Sequence, residues 1–351
     1  MAKDNRLYSQ ALQTLKKEIF NGTYPFQSKL PSEETLSKTL NISRSTLRKI
    51  LKTLNGEGII ESRQGSGSFV CNKGINRYIP IIIPNSDPTN RMMEIIEGAH
   101  HYFDSMGFSP LLIPSDCDPQ KERELINKLT AEGHRNFIIY PSSSNSNNSF
   151  YRTMLKEGYA CVFIDTLPDG ITCDYVTSCN SLGGYEATKR LIASGYKEIA
   201  FCGFPNPQIS NTIGARYSGY ISALEQNGIT PEASYVFMSE DNNIEKFADS
   251  VAERLTAPAV FASTDLLAVT VLNRFKNSNR PLPAVVSFDN SILSESFDLT
   301  SVDQNLYEIG RAAAEILHKR ILNPFKSYEH IFVPVKLIER GSVKPCADGK
   351  F

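Results

Sequence analysis

The sequence predicts an α/β protein in which a small N-terminal domain of helices and one hairpin precedes a larger, two-lobed domain of parallel β-sheets. Residues 1–70 carry amphipathic segments followed by two short apolar runs around a glycine-rich turn, and after them short apolar strands alternate with amphipathic helices. A chain of 351 residues with 41% hydrophobic and 21% charged residues is too long for one typical globular domain. We therefore predict a small domain at 1–70, a polar linker at 71–78, a two-lobed domain at 79–342 and a tail at 343–351.

Two helices are predicted at the start of the N-terminal domain. Residues 7–21 have an apolar stripe that includes Leu15 and Ile19. Ser32 can cap a second, short helix, because a serine side chain accepts a hydrogen bond from a free backbone N–H group of the first turn. Asn41 ends this helix.

Ser43 can cap a third helix, in which Leu47, Ile50, Leu51 and Leu54 recur at helical spacing and leave basic residues on the other faces. A short helix, a tight turn and a helix with basic residues in its first turns form a helix-turn-helix, whose second helix enters the DNA major groove. The predicted DNA contacts in these helices are Ser32, Ser43, Arg44, Ser45, Thr46, Arg48 and Lys49.

A two-stranded ribbon completes a winged helix-turn-helix. Gly58 follows the third helix, residues 59–60 start a strand, residues 64–67 turn it, and residues 69–70 return. Glycines at such a tip permit positive φ angles and a close backbone approach to a partner. We expect the tip to lie at the DNA minor groove, with the contacts Gln64, Gly65, Ser66 and Gly67.

The larger domain is predicted to contain two consecutive α/β sets. In the first, strands at 79–83, 111–113, 137–140 and 161–164 alternate with helices at 92–106, 120–132 and 151–158. In the second, strands at 199–202, 235–238, 259–262, 284–288 and 331–337 alternate with helices at 185–194, 216–227, 244–255, 266–276 and 306–322. Such sets predict two lobes around a cleft, and ligands of parallel sheets bind beyond the carboxyl ends of the strands.

Charge is unevenly distributed along the chain. The formal net charge is -1, but residues 1–70 hold 11 Lys/Arg against 6 Asp/Glu. A basic module carried by an acidic body suits attraction to phosphate, although surface charge also fluctuates by chance. Seven scattered cysteines without a C-x-x-C motif argue against a disulfide framework or a zinc cluster. We predict a cytoplasmic protein, because no apolar run spans a bilayer and the N-terminus lacks a signal peptide's apolar core.

Four segments of the N-terminal domain resemble the DNA-binding domain of GntR-type regulators, in that family's order and spacing. They are residues 30–33 (Leu-Pro-Ser-Glu), 42–48 (Ile-Ser-Arg-Ser-Thr-Leu-Arg), 57–60 (Glu-Gly-Ile-Ile) and 64–70 (Gln-Gly-Ser-Gly-Ser-Phe-Val). Glu34 departs from the pattern, since the family usually has Arg there. A carboxylate at that position would repel phosphate, which affects the contact that the family's Arg makes.

The larger domain resembles the effector domain of LacI/GalR regulators, which is similar to periplasmic sugar-binding proteins. The resemblance rests on residues 180–188 (Asn-Ser-Leu-Gly-Gly-Tyr-Glu-Ala-Thr), 216–220 (Arg-Tyr-Ser-Gly-Tyr), 262–268 (Ala-Ser-Thr-Asp-Leu-Leu-Ala), 286–290 (Val-Ser-Phe-Asp-Asn), 299–304 (Leu-Thr-Ser-Val-Asp-Gln) and 309–310 (Ile-Gly). A GntR-type head joined to such a body is similar to the arabinose repressors.

This resemblance implies a set of effector-binding residues. Arg216, Asp289 and Asp165 match positions that contact the sugar in the LacI-like family, and carboxylates and Arg forks suit neighbouring hydroxyls. The alternative for each acid is a helix cap or a surface salt bridge. Asp265 is expected to cap a helix. The further candidates are Gln304 and Phe288 at a polar and a stacking position, Thr264 where the family often has Asn, and Asn90, Arg91 and Tyr140 at strand ends of the first lobe.

The sequence thus predicts a DNA-binding transcriptional regulator, a repressor of carbohydrate-utilisation genes, whose affinity for its operator is set by a small sugar or sugar derivative. The alternative is an activator, or a regulator that responds to a non-sugar effector. We expect a homodimer on double-stranded DNA, with no membrane partner, cofactor or metal. An enzyme is disfavoured, since H-E-x-x-H, G-x-S-x-G and a complete G-x-G-x-x-G are absent. The winged head weighs against a transport-linked binding protein.

Overall fold

The computed structural model describes residues 2–20, 23–24, 28–63, 66–70, 78–84, 91–106, 108–204, 210–240 and 243–346. The predicted linker lies outside these residues except for Tyr78, which is already the first residue of a strand. At the other end, Val343 is buried in the core of the second lobe, and the Cys346 backbone N–H donates to the Ser194 carbonyl at 2.8 Å. The chain therefore packs on this lobe beyond the predicted boundary at Ser342.

The N-terminal domain, called the head below, folds as a helix-turn-helix with a two-stranded antiparallel wing, as predicted. Its elements are α1 (Ala2–Phe20), α2 (Glu33–Thr39), α3 (Arg44–Gly56), β1 (Ile60–Arg63) and β2 (Gly67–Val70). The predicted caps are confirmed, because Ser32 Oγ accepts from the Thr35 N–H at 3.2 Å and Ser43 Oγ from the Thr46 N–H at 3.1 Å. Gly67 at the wing has φ +97°, as a glycine tip requires.

The first α/β set alternates strands and helices as predicted, with one strand more. Its elements are β3 (Tyr78–Ile83), α4 (Met92–Phe103), β4 (Ser109–Pro114), α5 (Pro119–Ala131), β5 (Asn136–Ile139), α6 (Asn148–Lys156), β6 (Ala160–Ile164) and β7 (Asp174–Ser178). The sequence analysis missed β7, a wholly buried strand with polar residues in it.

The second set also contains elements that the apolar pattern missed, namely α11 and β12. Its elements are α7 (Asn180–Ala193), β8 (Ile199–Gly203), α8 (Asn211–Gln226), β9 (Val236–Met238), α9 (Ile244–Arg254), β10 (Ala259–Ala262), α10 (Asp265–Asn277), β11 (Ala284–Asp289), α11 (Ile292–Ser296) and β12 (Thr300–Asp303).

The last three elements connect the two lobes and correct the prediction of two consecutive sets. They are α12 (Leu306–Leu322), β13 (His330–Val333) and β14 (Lys336–Ile338). The sheet of the first lobe has the order β13-β7-β6-β5-β3-β4, and that of the second lobe β14-β12-β11-β10-β8-β9. The predicted strand at 331–337 is therefore two strands in different sheets, and α12 packs on α4 of the first lobe. The chain passes between the lobes three times, after β7, after β12 and after β13.

The helices α4 and α12 cross with their backbones in close contact. A Cβ atom at Gly310 would lie 2.0 Å from the Ile95 carbonyl oxygen, and one at Gly98 would lie 1.9 Å from that of Tyr307. Only glycine allows this approach, because any larger side chain would separate the two helices.

Gly310→Ala is therefore expected to lower the free energy of unfolding by about 1–3 kcal/mol, the usual cost of forcing extra volume into a packed core. Urea denaturation measures this change. Gly214→Ala in α8 is the matched control, because a Cβ atom there meets nothing within 4 Å. A wild-type midpoint for Gly310→Ala would contradict the close crossing of α4 and α12.

The head packs on the first lobe, and their buried side chains form one hydrophobic cluster. Helix α1 contacts α12, and Lys16 of α1 is buried with its Nζ atom 2.7 Å from Glu57. Beside this contact is a cleft of about 900 Å³, which lies at the amino ends of β5 and β6. The head thus occupies the end of the first lobe opposite the carboxyl ends of its parallel strands. Among the described residues, no helix combines the length and apolar character needed to cross a bilayer.

Candidate functional site

Asp289 lies at the centre of a polar site between the lobes, at the carboxyl end of β11. Its Oδ2 atom is 3.3 Å from Arg91 Nη1, which belongs to the first lobe, and its Oδ1 atom is 3.5 Å from Arg216 Nη1. Gln304 Nε2 donates to the same Oδ1 at 2.5 Å. The Asp289 backbone has φ +113°, a conformation that is costly for a non-glycine residue and is concentrated at functional sites. One carboxylate therefore pairs with arginines of both lobes.

Arg216 is held in the second lobe by groups on three sides. Its Nε donates to Asn180 Oδ1 at 2.8 Å, and its Nη1 donates to the Ser263 carbonyl at 2.6 Å. The guanidinium carbon lies 3.7 Å from the centre of the Phe288 ring, so cation–π attraction adds to the ion pair with Asp289. The structure thus places Arg216, Asp289, Phe288 and Gln304 next to one another, with the Phe288 ring fully buried beneath Arg216.

Asn180 is a functional candidate that the sequence analysis missed. Its amide holds Arg216 in place, and its own Nδ2 donates to Thr177 Oγ1 at 3.2 Å and to the Ser178 carbonyl at 3.1 Å. The contact depends on the crossing of α7 and α8, where a Cβ atom at Gly184 would lie 2.1 Å from the Arg216 carbonyl oxygen. A pattern within one sequence cannot show that two helices cross. Asn180 is nevertheless the first residue of segment 180–188, which resembles LacI/GalR regulators.

Asp165 and Tyr140 form the first-lobe side of the site. Asp165 follows β6, is 5% exposed and has φ +58°. The Tyr140 hydroxyl donates to its carboxylate, and burial raises the pKa of both groups, with the nearby Arg216 opposing the effect on Asp165. Asp165 Oδ1 has no hydrogen-bond partner within the described part of the chain. A hydroxyl of a molecule bound in this position can donate to the Asp165 Oδ1 atom.

Replacing Asp165 by Asn is expected to raise the free energy of unfolding at pH 7 by about 1 kcal/mol, because it removes a buried, incompletely paired charge. The pKa of Asp165 is raised in the folded state. The wild-type carboxylate therefore lowers the free energy of unfolding at pH values above the folded pKa, and this penalty disappears below the ordinary pKa of an aspartate. The gain of Asp165→Asn should therefore shrink as pH falls, which urea denaturation across pH can measure.

Asp174→Asn provides the contrast to this prediction. Asp174 is fully buried, and its carboxylate accepts from Arg320 Nε at 2.8 Å and from Lys326 Nζ at 3.0 Å. Removing the charge from such a paired carboxylate should lower stability by roughly 3–5 kcal/mol. Equal losses in the two variants would contradict the incomplete pairing of Asp165.

The N-cap of α10 is Thr264 and not Asp265 as predicted. Thr264 itself caps α10, because its Oγ1 accepts from the Leu267 N–H at 3.2 Å. Asp265 is instead buried, and accepts from Ser287 Oγ and Ser301 Oγ, each at 2.6 Å. Its carboxylate therefore fastens β11 and β12 behind the site.

The head presents its basic residues on the exposed side of α3. Arg44 Nη2 lies 3.4 Å from Glu34, and Arg48 Nε donates to Glu33 at 2.9 Å. Ser43 Oγ lies 2.8 Å from both Ser45 Oγ and Thr46 Oγ1. Of the predicted DNA contacts among the described residues, Thr46 is half-buried and the others are exposed, namely Ser32, Ser43, Arg44, Ser45, Arg48, Lys49, Ser66 and Gly67. The candidates Gln64, Gly65 and Asn90 lie outside the described residues.

A hydrogen bond attaches the wing to α3, and a groove lies between the wing and this helix. The Ser62 N–H donates to Asn55 Oδ1 at 3.0 Å, and the Arg63 guanidinium carbon lies 4.6 Å from the centre of the Phe69 ring. A groove of about 570 Å³ between helix and wing is lined in part by Arg48, Lys52 and Arg63. These positive side chains suit the phosphates of a nucleic acid.

Two family models match separate parts of the chain, one in the head and one that covers mainly the second lobe. Residues 7–70 match the bacterial regulatory proteins of the gntR family, and residues 188–343 match the periplasmic binding protein-like domain. The chain is 24% identical over 333 residues to the arabinose metabolism transcriptional repressor of Halalkalibacterium halodurans, a match that covers 88% of each chain.

Solved structures of regulators share the fold of the two lobes. The transcription regulator CcpA of Lactococcus lactis has a TM-score of 0.66 and 26% identity, with 76% of this chain and 99% of that chain covered. A LacI family transcriptional regulator from Enterococcus faecium with bound ribose has a TM-score of 0.64 and 24% identity, covering 77% of this chain and 99% of that chain.

Proposed function

We propose that this chain, which combines a gntR-family DNA-binding domain with a periplasmic binding protein-like domain, is a transcriptional repressor of carbohydrate-utilisation genes. A small sugar bound between its lobes would set the affinity of the head for operator DNA. The observation that carries the proposal is the site around Asp289, where one partly buried carboxylate pairs with arginines of both lobes within a chain that also presents an exposed basic helix. The arabinose and ribose named for its relatives support a sugar.

The charges of the site favour an uncharged effector. Arg91 and Arg216 face Asp165 and Asp289, so positive and negative groups balance, and Glu94 adds negative charge beside Arg91. Both arginines already lie against Asp289. The segments 85–90 and 205–209 contain no Lys, Arg or His. Among the described residues of the site, a phosphate ester would therefore lack a cation of its own, whereas the hydroxyls of a neutral sugar can donate to Asp165 Oδ1.

Isothermal titration calorimetry of the full chain against pentoses, hexoses and their phosphate esters tests this proposal. A neutral pentose or hexose is expected to bind at least tenfold more tightly than its own phosphate ester. A preference for the ester would contradict the proposed class of effector. Turnover of a bound sugar would contradict the proposal that the protein is not an enzyme.

The helices α4 and α12 provide a direct route from the site to the head. Helix α4 begins next to Arg91, α12 begins after Gln304, and the two helices are packed together through Gly98 and Gly310. The far end of α12 contacts α1, and burial, together with the nearby Lys17 ammonium, lowers the pKa of His318. A change in the angle between the lobes would therefore move the head, which rests on the first lobe, relative to the second lobe. The effector acts only to the extent that it binds the two states with different affinity.

In this proposal the protein is a homodimer that binds a two-fold operator in the cytoplasm. Light scattering of the full chain should give twice the 39.1 kDa of one chain. The helix α3 of each head would lie in the major groove and each wing at the minor groove.

A further inference from the structure

Two adjacent carboxylates at the start of α2 hold the two arginines of α3. Glu33 Oε2 accepts from Arg48 Nε at 2.9 Å. Glu34 Oε2 lies 3.4 Å from Arg44 Nη2, and its Oε1 accepts from Lys38 Nζ at 3.1 Å. The capping of α2 by Ser32 fixes this end of the helix beside α3. The residues Glu33 and Glu34 are called the acidic pair below.

Every member of these contacts is accessible to a partner. The exposed side-chain fractions are 72% for Arg48 and 42% for Glu33, and 64% for Arg44 and 57% for Glu34. An exposed ion pair is worth at most about fivefold in an equilibrium constant. The pairs can therefore be broken by DNA, but each arginine that leaves its carboxylate for a phosphate exchanges one anion for another.

Operator DNA and non-specific DNA offer the two arginines different contacts in place of the broken ion pairs. Non-specific binding rests on phosphate contacts, so it is weakened both by the occupied arginines and by repulsion between the acidic pair and the backbone. A bidentate contact between arginine and guanine discriminates roughly five- to 150-fold, which exceeds the loss of an exposed ion pair. The acidic pair should therefore weaken non-specific binding more than operator binding.

We propose that the acidic pair is a specificity determinant of the head, which rests on the proposed function as a DNA-binding regulator. In free protein and on non-specific DNA, Glu33 holds Arg48 and Glu34 holds Arg44. On the operator the arginines exchange these carboxylates for base edges. The pair thereby keeps a basic helix from binding DNA of any sequence.

The test compares the full chain with the variant Glu33→Gln/Glu34→Gln by fluorescence anisotropy on a 30-bp duplex of mixed sequence, over a series of KCl concentrations. The variant is expected to bind this duplex tenfold or more tightly at low salt. Its plot of log affinity against log salt should steepen by about 0.9 for each new phosphate contact. Glu253→Gln, an exposed residue of α9, is the control for net charge.

A second duplex measures specificity directly. An operator selected from a random pool with the wild-type chain should gain less affinity in the variant than the mixed duplex does, so that the ratio of the two affinities falls. Unchanged mixed-duplex affinity and salt slope in the double variant would overturn the proposal, as would an equal gain in Glu253→Gln. If the wild-type chain itself has no salt-dependent affinity for DNA, the proposed function fails instead.

Discussion

Asp289→Asn is expected to weaken effector binding by at least 100-fold and to leave operator binding in place but unresponsive to effector. The asparagine keeps the shape of the side chain, but it removes the charge that Arg91 and Arg216 approach from the two lobes. Removing one partner of a largely buried ion pair costs roughly 3–5 kcal/mol, so loss of the pairs that join the two lobes accounts for the expected effect. Calorimetry with the effector and anisotropy with operator DNA separate the two activities.

Asp249→Asn is the matched control, because Asp249 also pairs with an arginine of the second lobe, with 2.5 Å between its Oδ1 and Arg274 Nε, but on the surface. This variant should bind effector and DNA as the wild type does. Normal effector affinity in Asp289→Asn would show that the site between the lobes is not the effector site. Loss of operator binding in both variants would instead indicate damage to the fold.

Arg48→Ala is expected to weaken operator binding by at least tenfold without changing effector affinity. Arg48 projects from the exposed side of α3, where a good contact to a base edge is worth roughly 1–3 kcal/mol. Substitution by alanine removes the contact, while the buried face of α3 at Leu47, Ile50 and Leu54 is untouched. Operator affinity measured by anisotropy checks the change.

Arg123→Ala on the exposed side of α5 removes the same charge far from the head and should leave operator affinity unchanged. An undiminished affinity in Arg48→Ala would mean that α3 is not the recognition helix. A similar loss in both variants would assign the effect to net charge alone.

The sequence could predict that Asp165 and Asp289 lie at strand ends facing the cleft, because the carboxyl ends of parallel strands meet at one edge of a sheet. Asp165 after β6 and Asp289 at the end of β11 both follow apolar runs, so the pattern places them at the cleft. The ion pair between Arg91 and Asp289 was beyond prediction, because it depends on how far the lobes close.

The strands that the sequence analysis missed are interior strands with polar residues. Asp174 in β7 is buried because Arg320 and Lys326 pair with it, and Ser301 in β12 is buried because it donates to Asp265. A pattern of apolar residues cannot reveal such strands, since the partners that make their burial possible come from distant parts of the chain. The same limit explains why α12 and β13 were assigned to the wrong lobe.

Because the backbone passes between the lobes three times, recombination between genes can exchange the head more easily than it can exchange either lobe. The head is one uninterrupted stretch that ends at Val70, so a single recombination junction can transplant it onto another receptor. Neither lobe can be shuffled in this way, because each is assembled from separate stretches of the gene and any crossover within residues 78–346 would divide at least one of them. Chimeras with a foreign head are therefore expected to fold, whereas chimeras that graft one lobe are not.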